Sequence, residues 1–266
     1  MKAEDLKYIV REKYGQIANQ SKMQNETSCC GVGGCSTVDY TIFSENYEKL
    51  KGYNSEADLG LGCGIPTQFA GIKEGDSVLD LGSGAGNDCF VARAIVGATG
   101  HVTGIDFTEA MLLKATANVQ KLGFTNVEFV QGDIEEMPLQ DSSFDVVVSN
   151  CVLNLVPDKQ KAFAEIHRVL KPFGSFCVSD VVIKGNLPEK LRKDAEMYAG
   201  CVSGAIEMDE YLEIINKQGF KQVTIHKQKE IEIPQEILKS YLNENEIRQF
   251  SQKEIGIFSI TVSATK

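Results

Sequence analysis

Two kinds of side chain could do chemistry in this sequence: carboxylates that close strand-like segments, and thiols. Asp80 lies in Ser77-Val78-Leu79-Asp80-Leu81-Gly82-Ser83-Gly84-Ala85-Gly86-Asn87-Asp88. Apolar Val78, Leu79 and Leu81 suit a short strand covered on both faces. Gly82, Gly84 and Gly86 allow a sharp turn and a close approach of a ligand to main-chain N–H groups. Asn87 stands where a helix N-cap is expected. Asp106 ends a second strand, 101–106, and Asp133 follows a third, 126–131. Ligands of a doubly wound sheet gather at the carboxyl ends of its strands. A carboxylate placed there can accept both hydroxyls of a ribose.

The thiols are unusually many. The eight cysteines are Cys29, Cys30, Cys35, Cys63, Cys89, Cys151, Cys177 and Cys201. No CxxC pair exists, which disfavours a zinc ribbon or finger. Cys29, Cys30 and Cys35 share a glycine-rich loop without periodicity. Cys63 lies between Gly62 and Gly64, with no neighbouring side chain to shield it. Cys151 follows a fourth strand, 144–149, after Asn150. Cys201 lies in a helical stretch. Cys89 and Cys177, inside a helix and a strand, read as small packing residues. Taken singly, Cys151 and Cys201 are also open to a packing reading. His101, His167 and His226 read as structural or surface groups.

The elements that must position these groups alternate strand and helix, the pattern of a parallel sheet with right-handed crossovers. Residues 2–16 carry a helical spacing of Leu6, Ile9, Val10 and Tyr14, as of a helix packed on the main domain. Residues 44–51 read as a short helix, 55–64 as a loop, and Pro66 as the start of a helix to about Ala70. Helices at 87–97, 108–121 and 158–170 alternate with the strands, the last of them ending before Pro172. Strand five covers 175–183. Helices at 188–203 and 208–218 follow, as a lid or insertion, then strands at 223–231 and 256–264. Residues 234–250 are helical or irregular. The expected organisation is an N-terminal helix and cysteine loop (1–43), a core (44–185), and a helical insertion with the C-terminal strands (186–266).

Composition narrows the partners. The chain has 266 residues and a net charge of -10, from 37 acidic and 27 basic residues. That balance disfavours a phosphate-backbone partner, because such affinity rests on Lys and Arg. A small-molecule substrate is expected. No apolar run reaches the roughly 18–20 residues of a membrane span, and residues 1–22 lack a signal-peptide core. A cytoplasmic monomer is the default expectation.

The glycine turn does not fit G-x-G-x-x-G, because the last required glycine falls on Asn87. An acid in the strand followed by G-x-G-x-G resembles the first motif of the class I S-adenosylmethionine-dependent methyltransferases. Asp106 alone would fit NAD equally well; Asp133 strengthens the resemblance. It implies an α/β, doubly wound, Rossmann-like sheet of five parallel strands plus an antiparallel C-terminal pair. It also implies cofactor contacts from Asp80, Gly82, Ser83, Gly84, Gly86, Asp106, Met111, Asp133, Ile134 and Asn150. Met111 would pack on the adenosine. Asp133 would accept from the adenine amino group, with the next backbone N–H reaching the ring.

The cysteine contexts narrow this further. Gly62-Cys63-Gly64, Ser149-Asn150-Cys151-Val152-Leu153-Asn154-Leu155 and Gly200-Cys201-Val202-Ser203-Gly204-Ala205, with the Asp80 turn, resemble the arsenite methyltransferases over most of the chain to about residue 220. The resemblance implies that Cys63, Cys151 and Cys201 bind trivalent arsenic as thiolates. An upstream thiol would deliver arsenic or exchange disulfides; Cys29, Cys30 and Cys35 compete for it, with Cys30 favoured. A thiol reductant, thioredoxin or glutathione, is implied as co-substrate. Soft arsenic selects thiolates, and its lone pair can attack a sulfonium methyl without a general base. The alternatives are a methyltransferase for a small organic acceptor, such as a quinone or sterol precursor, and a non-catalytic thiol protein that binds metalloids.

Overall fold

The computed structural model describes residues 3–20, 45–185, 204–231, 239, 242–251 and 255–266. Among these, seven strands form one sheet: β1 (Ser77–Leu81), β2 (His101–Asp106), β3 (Val127–Gln131), β4 (Phe144–Asn150), β5 (Leu170–Lys184), β6 (Lys221–Glu230) and β7 (Gly256–Thr265). Their spatial order is β3-β2-β1-β4-β5-β7-β6. The first five run parallel. β7 lies between β5 and β6 and is antiparallel to both. The order reverses between β1 and β4, where such sheets place their ligands.

Two helical layers follow from period-2 strands. Val78, Val102, Val146 and Val148 point to one face, against Phe90 and Val96 of α2 (Asn87–Val96) and Met111 and Ala115 of α3 (Glu109–Leu122). Leu79, Leu81, Val147 and Val178 point to the other, against Phe163 and Ile166 of α4 (Lys159–Val169) and Tyr211 and Ile215 of α5 (Met208–Lys217). The N-terminal helix α1 (Ala3–Ala18) packs on α3, and Lys114 of α3 donates to the Ala18 carbonyl that ends α1. A last helix, α6, spans Glu244–Ser251.

Several expectations change. Residues 48–52 form turns, not a helix. The Asn46 side chain accepts the Glu48 N–H at 2.8 Å, a local bond that competes with helix formation. Pro66 begins only a short 3-10 turn, Pro66–Gln68. Asn87 is the first helical residue; Gly86, left-handed at φ 96°, takes the cap position. β5 begins at Leu170, directly after α4, and carries Pro172. The segment between the pairs Phe144–Leu170 and Val146–Ser175 bulges outward, which spares Pro172 a ladder bond. α5 is no lid: Tyr211 and Ile215 are fully buried against the sheet. Residues 188–203 lie outside the described residues, as do 232–238. β6 and β7 are continuous with the sheet of residues 77–184.

Asp180 of β5 sits behind this layer, accepting from the Tyr211 hydroxyl at 3.1 Å. Burial pushes its carboxyl up to about 7, against the opposing charge of Lys159 and bonds from Val181 N–H and Tyr211. The unfolded chain holds that proton less tightly, with a value near 4. Stability from this group is therefore complete below about pH 4 and is lost as pH rises to about 7. Asp180→Asn is expected to shrink the fall in urea midpoint between pH 5 and pH 7.5. Phe163 packs 5.6 Å, centroid to centroid, from both Phe176 and Tyr211. Phe163→Ala should cost about 3–5 kcal/mol in urea unfolding.

Candidate functional site

The carboxyl ends of β1, β2, β3 and β4 open on a cavity. Its walls include Asp80, Gly82, Ser83, Gly84, Asp106, Met111, Asp133, Ile134, Asn150 and Cys151. Gly86 is absent from that wall. A β-carbon there would fall 2.9 Å from both Phe90 and Phe129, so Gly86 serves packing and the turn. Gly82 and Gly84 hold φ of 62° and 52°, conformations that favour glycine.

Asp106 ties the turn to β2. One carboxylate oxygen accepts the Gly84 N–H at 3.0 Å and the other the Thr108 N–H at 2.8 Å. Thr108 caps α3 by position, but its side chain makes no capping bond. Burial raises the Asp106 carboxyl, and these N–H groups oppose the shift. Asp80 is buried beneath the turn and accepts from the Cys89 thiol at 3.2 Å. Burial and then the Asp88 charge push its carboxyl well up. Cys89 and Cys177 are free and buried, as expected of packing residues. Burial pushes the Cys177 thiol up to about 12. Ser83 Oγ and Asn87 Oδ1 are buried on the cavity wall with no hydrogen-bond partner among the described residues.

Asp133 is engaged from an unexpected direction. Lys7 of α1 donates to its Oδ2 at 2.6 Å and also pairs with Glu135. Val10 and Tyr14 of α1 line the cavity beside Lys7. The N-terminal helix is thus a wall of the site. The apolar stripe through Val10 and Tyr14 announces a packed face, but nothing in the sequence says against what.

The thiols also depart from expectation. Cys63 and Cys151 are joined in a disulfide, with Cα atoms 5.8 Å apart, rather than standing as separate thiols. Cys63 is 1% exposed, not unshielded. Its flanking glycines exist because neighbours press on them: a β-carbon at Gly62 would fall 2.5 Å from the Asn150 amide nitrogen. The Asn150 side chain lines the cavity, yet its carboxamide is spent on the Cys63 turn, accepting the Cys63 N–H at 3.0 Å. Cys151 holds φ of 58°, a strained value for a side-chain-bearing residue. Its N–H is fixed by the Ser179 carbonyl at 2.8 Å. Ala205, shortly after Cys201 in sequence, is buried in the same apolar cluster as Cys63 and Cys151. Cys29, Cys30, Cys35 and Cys201 lie outside the described residues.

Lys7, Tyr47, Asp58 and Asp88 complete the site and escaped sequence reasoning. Asp58, Asp80, Asp88 and Asp106 together make a buried acidic floor. Burial raises Asp88, while bonds from Asn150 and Tyr47 oppose the shift. Among the described residues no helix is long and apolar enough to cross a membrane.

Known proteins resemble this chain in sequence and in fold. An arsenite methyltransferase of Halobacterium salinarum is 42% identical over 238 residues, covering 84% of this chain and 59% of that protein. The human arsenite methyltransferase is 38% identical over 223 residues, covering 79% of this chain and 57% of that protein. The chain thus spans less than two thirds of the length of these relatives. The crystal structure of an arsenic(III) S-adenosylmethionine methyltransferase from Chlamydomonas reinhardtii superposes with a TM-score of 0.64 at 38% identity, covering 77% of this chain and 67% of that one. The family model described as a methyltransferase domain matches residues 72–237, and the chain belongs to that methyltransferase family.

Proposed function

We propose that this protein methylates trivalent arsenic, with S-adenosylmethionine as methyl donor and Cys63 and Cys151 as arsenic ligands. The observation that carries the reading is the pairing of Cys63 with Cys151, a residue of the wall of a cavity floored by strand-end carboxylates. The arsenite methyltransferases it resembles support the choice of acceptor.

The residues fit the cofactor. Ser83 Oγ and Asn87 Oδ1 are buried polar atoms in want of partners on the cavity wall, and an uncompensated pair of this kind is costly unless a ligand meets it. Asp106 retains lone pairs for ribose hydroxyls beyond the two N–H bonds it accepts. Met111 and Ile134 offer apolar contact to an adenine, and Asp133 an acceptor for its amino group. The acidic floor suits a ligand bearing positive charge. When bound, S-adenosylmethionine supplies an electrophilic methyl group on a sulfonium.

The protein's remaining task is to hold the acceptor. Trivalent arsenic is soft and prefers thiolate ligands. The Cys63–Cys151 disulfide must first gain two electrons and two protons to give thiols, which calls for a thiol reductant such as thioredoxin or glutathione. Arsenic binding then releases the thiol protons. Cys201 is the third ligand in this reading, which rests on the resemblance of residues 200–205 to the arsenite methyltransferases. Cys30 is the favoured delivering thiol. Leu155 is buried in one apolar cluster with Cys63 and Cys151, and Phe107 packs against that cluster. Three thiolates leave the arsenic lone pair free, and Cys151 belongs to the cavity wall. No side chain need act as general base, so rate depends on placement.

Cys151→Ser is expected to lower arsenite-dependent methyl transfer about 100-fold or more, while calorimetric affinity for S-adenosylmethionine changes less than about threefold. Intact transfer in that variant would refute the arsenic assignment. Asp106→Ala should instead weaken S-adenosylmethionine binding by roughly tenfold or more, measured on protein whose fold is checked by circular dichroism.

A further inference from the structure

A buried polar cluster joins the Cys63 turn to the rest of the site. The Asn150 amide nitrogen lies 2.9 Å from the Gly64 carbonyl, 2.7 Å from the Tyr47 hydroxyl and 3.1 Å from Asp88 Oδ2. The Tyr47 hydroxyl lies 2.9 Å from the Gly64 carbonyl and 2.9 and 3.0 Å from the two Asp88 oxygens. The Asn150 oxygen takes the Cys63 N–H. With Asp88 ionised, the hydrogens balance. The Asn150 amide donates one to Gly64 and one to Tyr47, and the Tyr47 hydroxyl donates to Asp88. Tyr47 and Asp88 are both almost fully buried, so each bond lost would strand a polar group.

The cluster's chemistry is one of placement. Neither Tyr47 nor Asp88 touches a sulfur. Both reach the Cys63 turn only through Asn150 and Gly64. Gly62 and Gly64 leave no clearance: β-carbons there would strike Asn150 and Ser179. The Ser259 hydroxyl pins the Cys63 carbonyl at 2.6 Å. Cys63 is therefore clamped at its N–H, its carbonyl and the following carbonyl. Cys151 immediately follows Asn150 in the chain, so the clamp that fixes one sulfur is built on the backbone neighbour of the other.

We propose that Tyr47 and Asp88 are positioning residues that, through Asn150 and Gly64, hold the Cys63 sulfur against the Cys151 sulfur. This deepens the arsenic reading, because a preassembled pair binds a soft centre without first ordering two thiols. It rests on that reading only for the identity of the ligand. The pairing itself is measurable without arsenic or cofactor. Two glutathione thiols reduce the Cys63–Cys151 disulfide: its S–S bond breaks, an S–S bond forms in glutathione disulfide, and the two glutathione protons end on the two protein thiols. The equilibrium constant reports how strongly the fold holds the two sulfurs together.

The test equilibrates the full chain in buffers of defined glutathione to glutathione-disulfide ratio. Thiols are then alkylated, and the state of Cys63 and Cys151 is read by peptide mass spectrometry. Tyr47→Phe is expected to shift the equilibrium toward the dithiol about tenfold, and Asp88→Asn in the same direction. Tyr211→Phe, which removes a buried hydroxyl from a carboxylate on the far layer, should stay within about twofold of wild type. If Tyr47→Phe also stays within twofold, or if Tyr211→Phe shifts as far as Tyr47→Phe, the proposal falls. Should Asp88→Asn fail to fold, Tyr47→Phe against Tyr211→Phe decides alone. A Cys151→Ser enzyme that still methylated arsenite would defeat the arsenic assignment and leave this positioning role standing.

Discussion

The carboxamide of Asn150 is the joint on which the site depends. It stands at the end of β4, beside the point where strand order reverses, and meets three parts of the chain at once: the Cys63 turn, Tyr47 and Asp88 of α2. An amide can do this because it both donates and accepts. A carboxylate in its place would repel Asp88, and an apolar residue would leave the Cys63 N–H and the Gly64 carbonyl unmet. The thiol side and the cofactor side of the cavity consequently share a wall, and neither can shift without disturbing the other.

Charge sets the second constraint. Asp58, Asp80, Asp88 and Asp106 are buried together at the strand ends. Desolvation raises Asp80, Asp88 and Asp106. Backbone and side-chain donors hold part of that shift back. Such a floor is expensive for the free protein and favourable toward a cationic ligand, a common condition of binding sites. Lys7 adds a cation at the far rim, where α1 crosses Asp133 and Glu135. The N-terminal helix therefore belongs to the electrostatics of the site as well as to its shape.

Much of the scaffold was readable because its signals are local. Apolar runs marked β1, β2 and β4, a glycine-rich turn marked the end of β1, and a helical spacing marked α1. Errors fell where a local signal met a stronger neighbour. Asn46 diverted 48–52 into turns by bonding its own backbone. Gly86 took the cap position from Asn87 because the preceding turn had already set its φ positive. β5 passed through Pro172 because a bulge turned that residue out of the ladder. Cys63 looked exposed between two glycines, and those same glycines mark close packing against Asn150 and Ser179.

The sequence by itself determined the sheet type, the order of strand-end acids and the presence of thiols suited to a soft acceptor. Those are properties of residue type and spacing, which survive without knowledge of long-range contacts. Only the tertiary structure decided that Cys63 meets Cys151, that α1 walls the cavity, and that Tyr47 and Asp88 clamp the Cys63 turn. Each of these joins residues far apart in the chain, such as Tyr47 and Asn150 or Lys7 and Asp133. No periodicity encodes such a meeting; it exists only once the sheet has brought its strand ends into line.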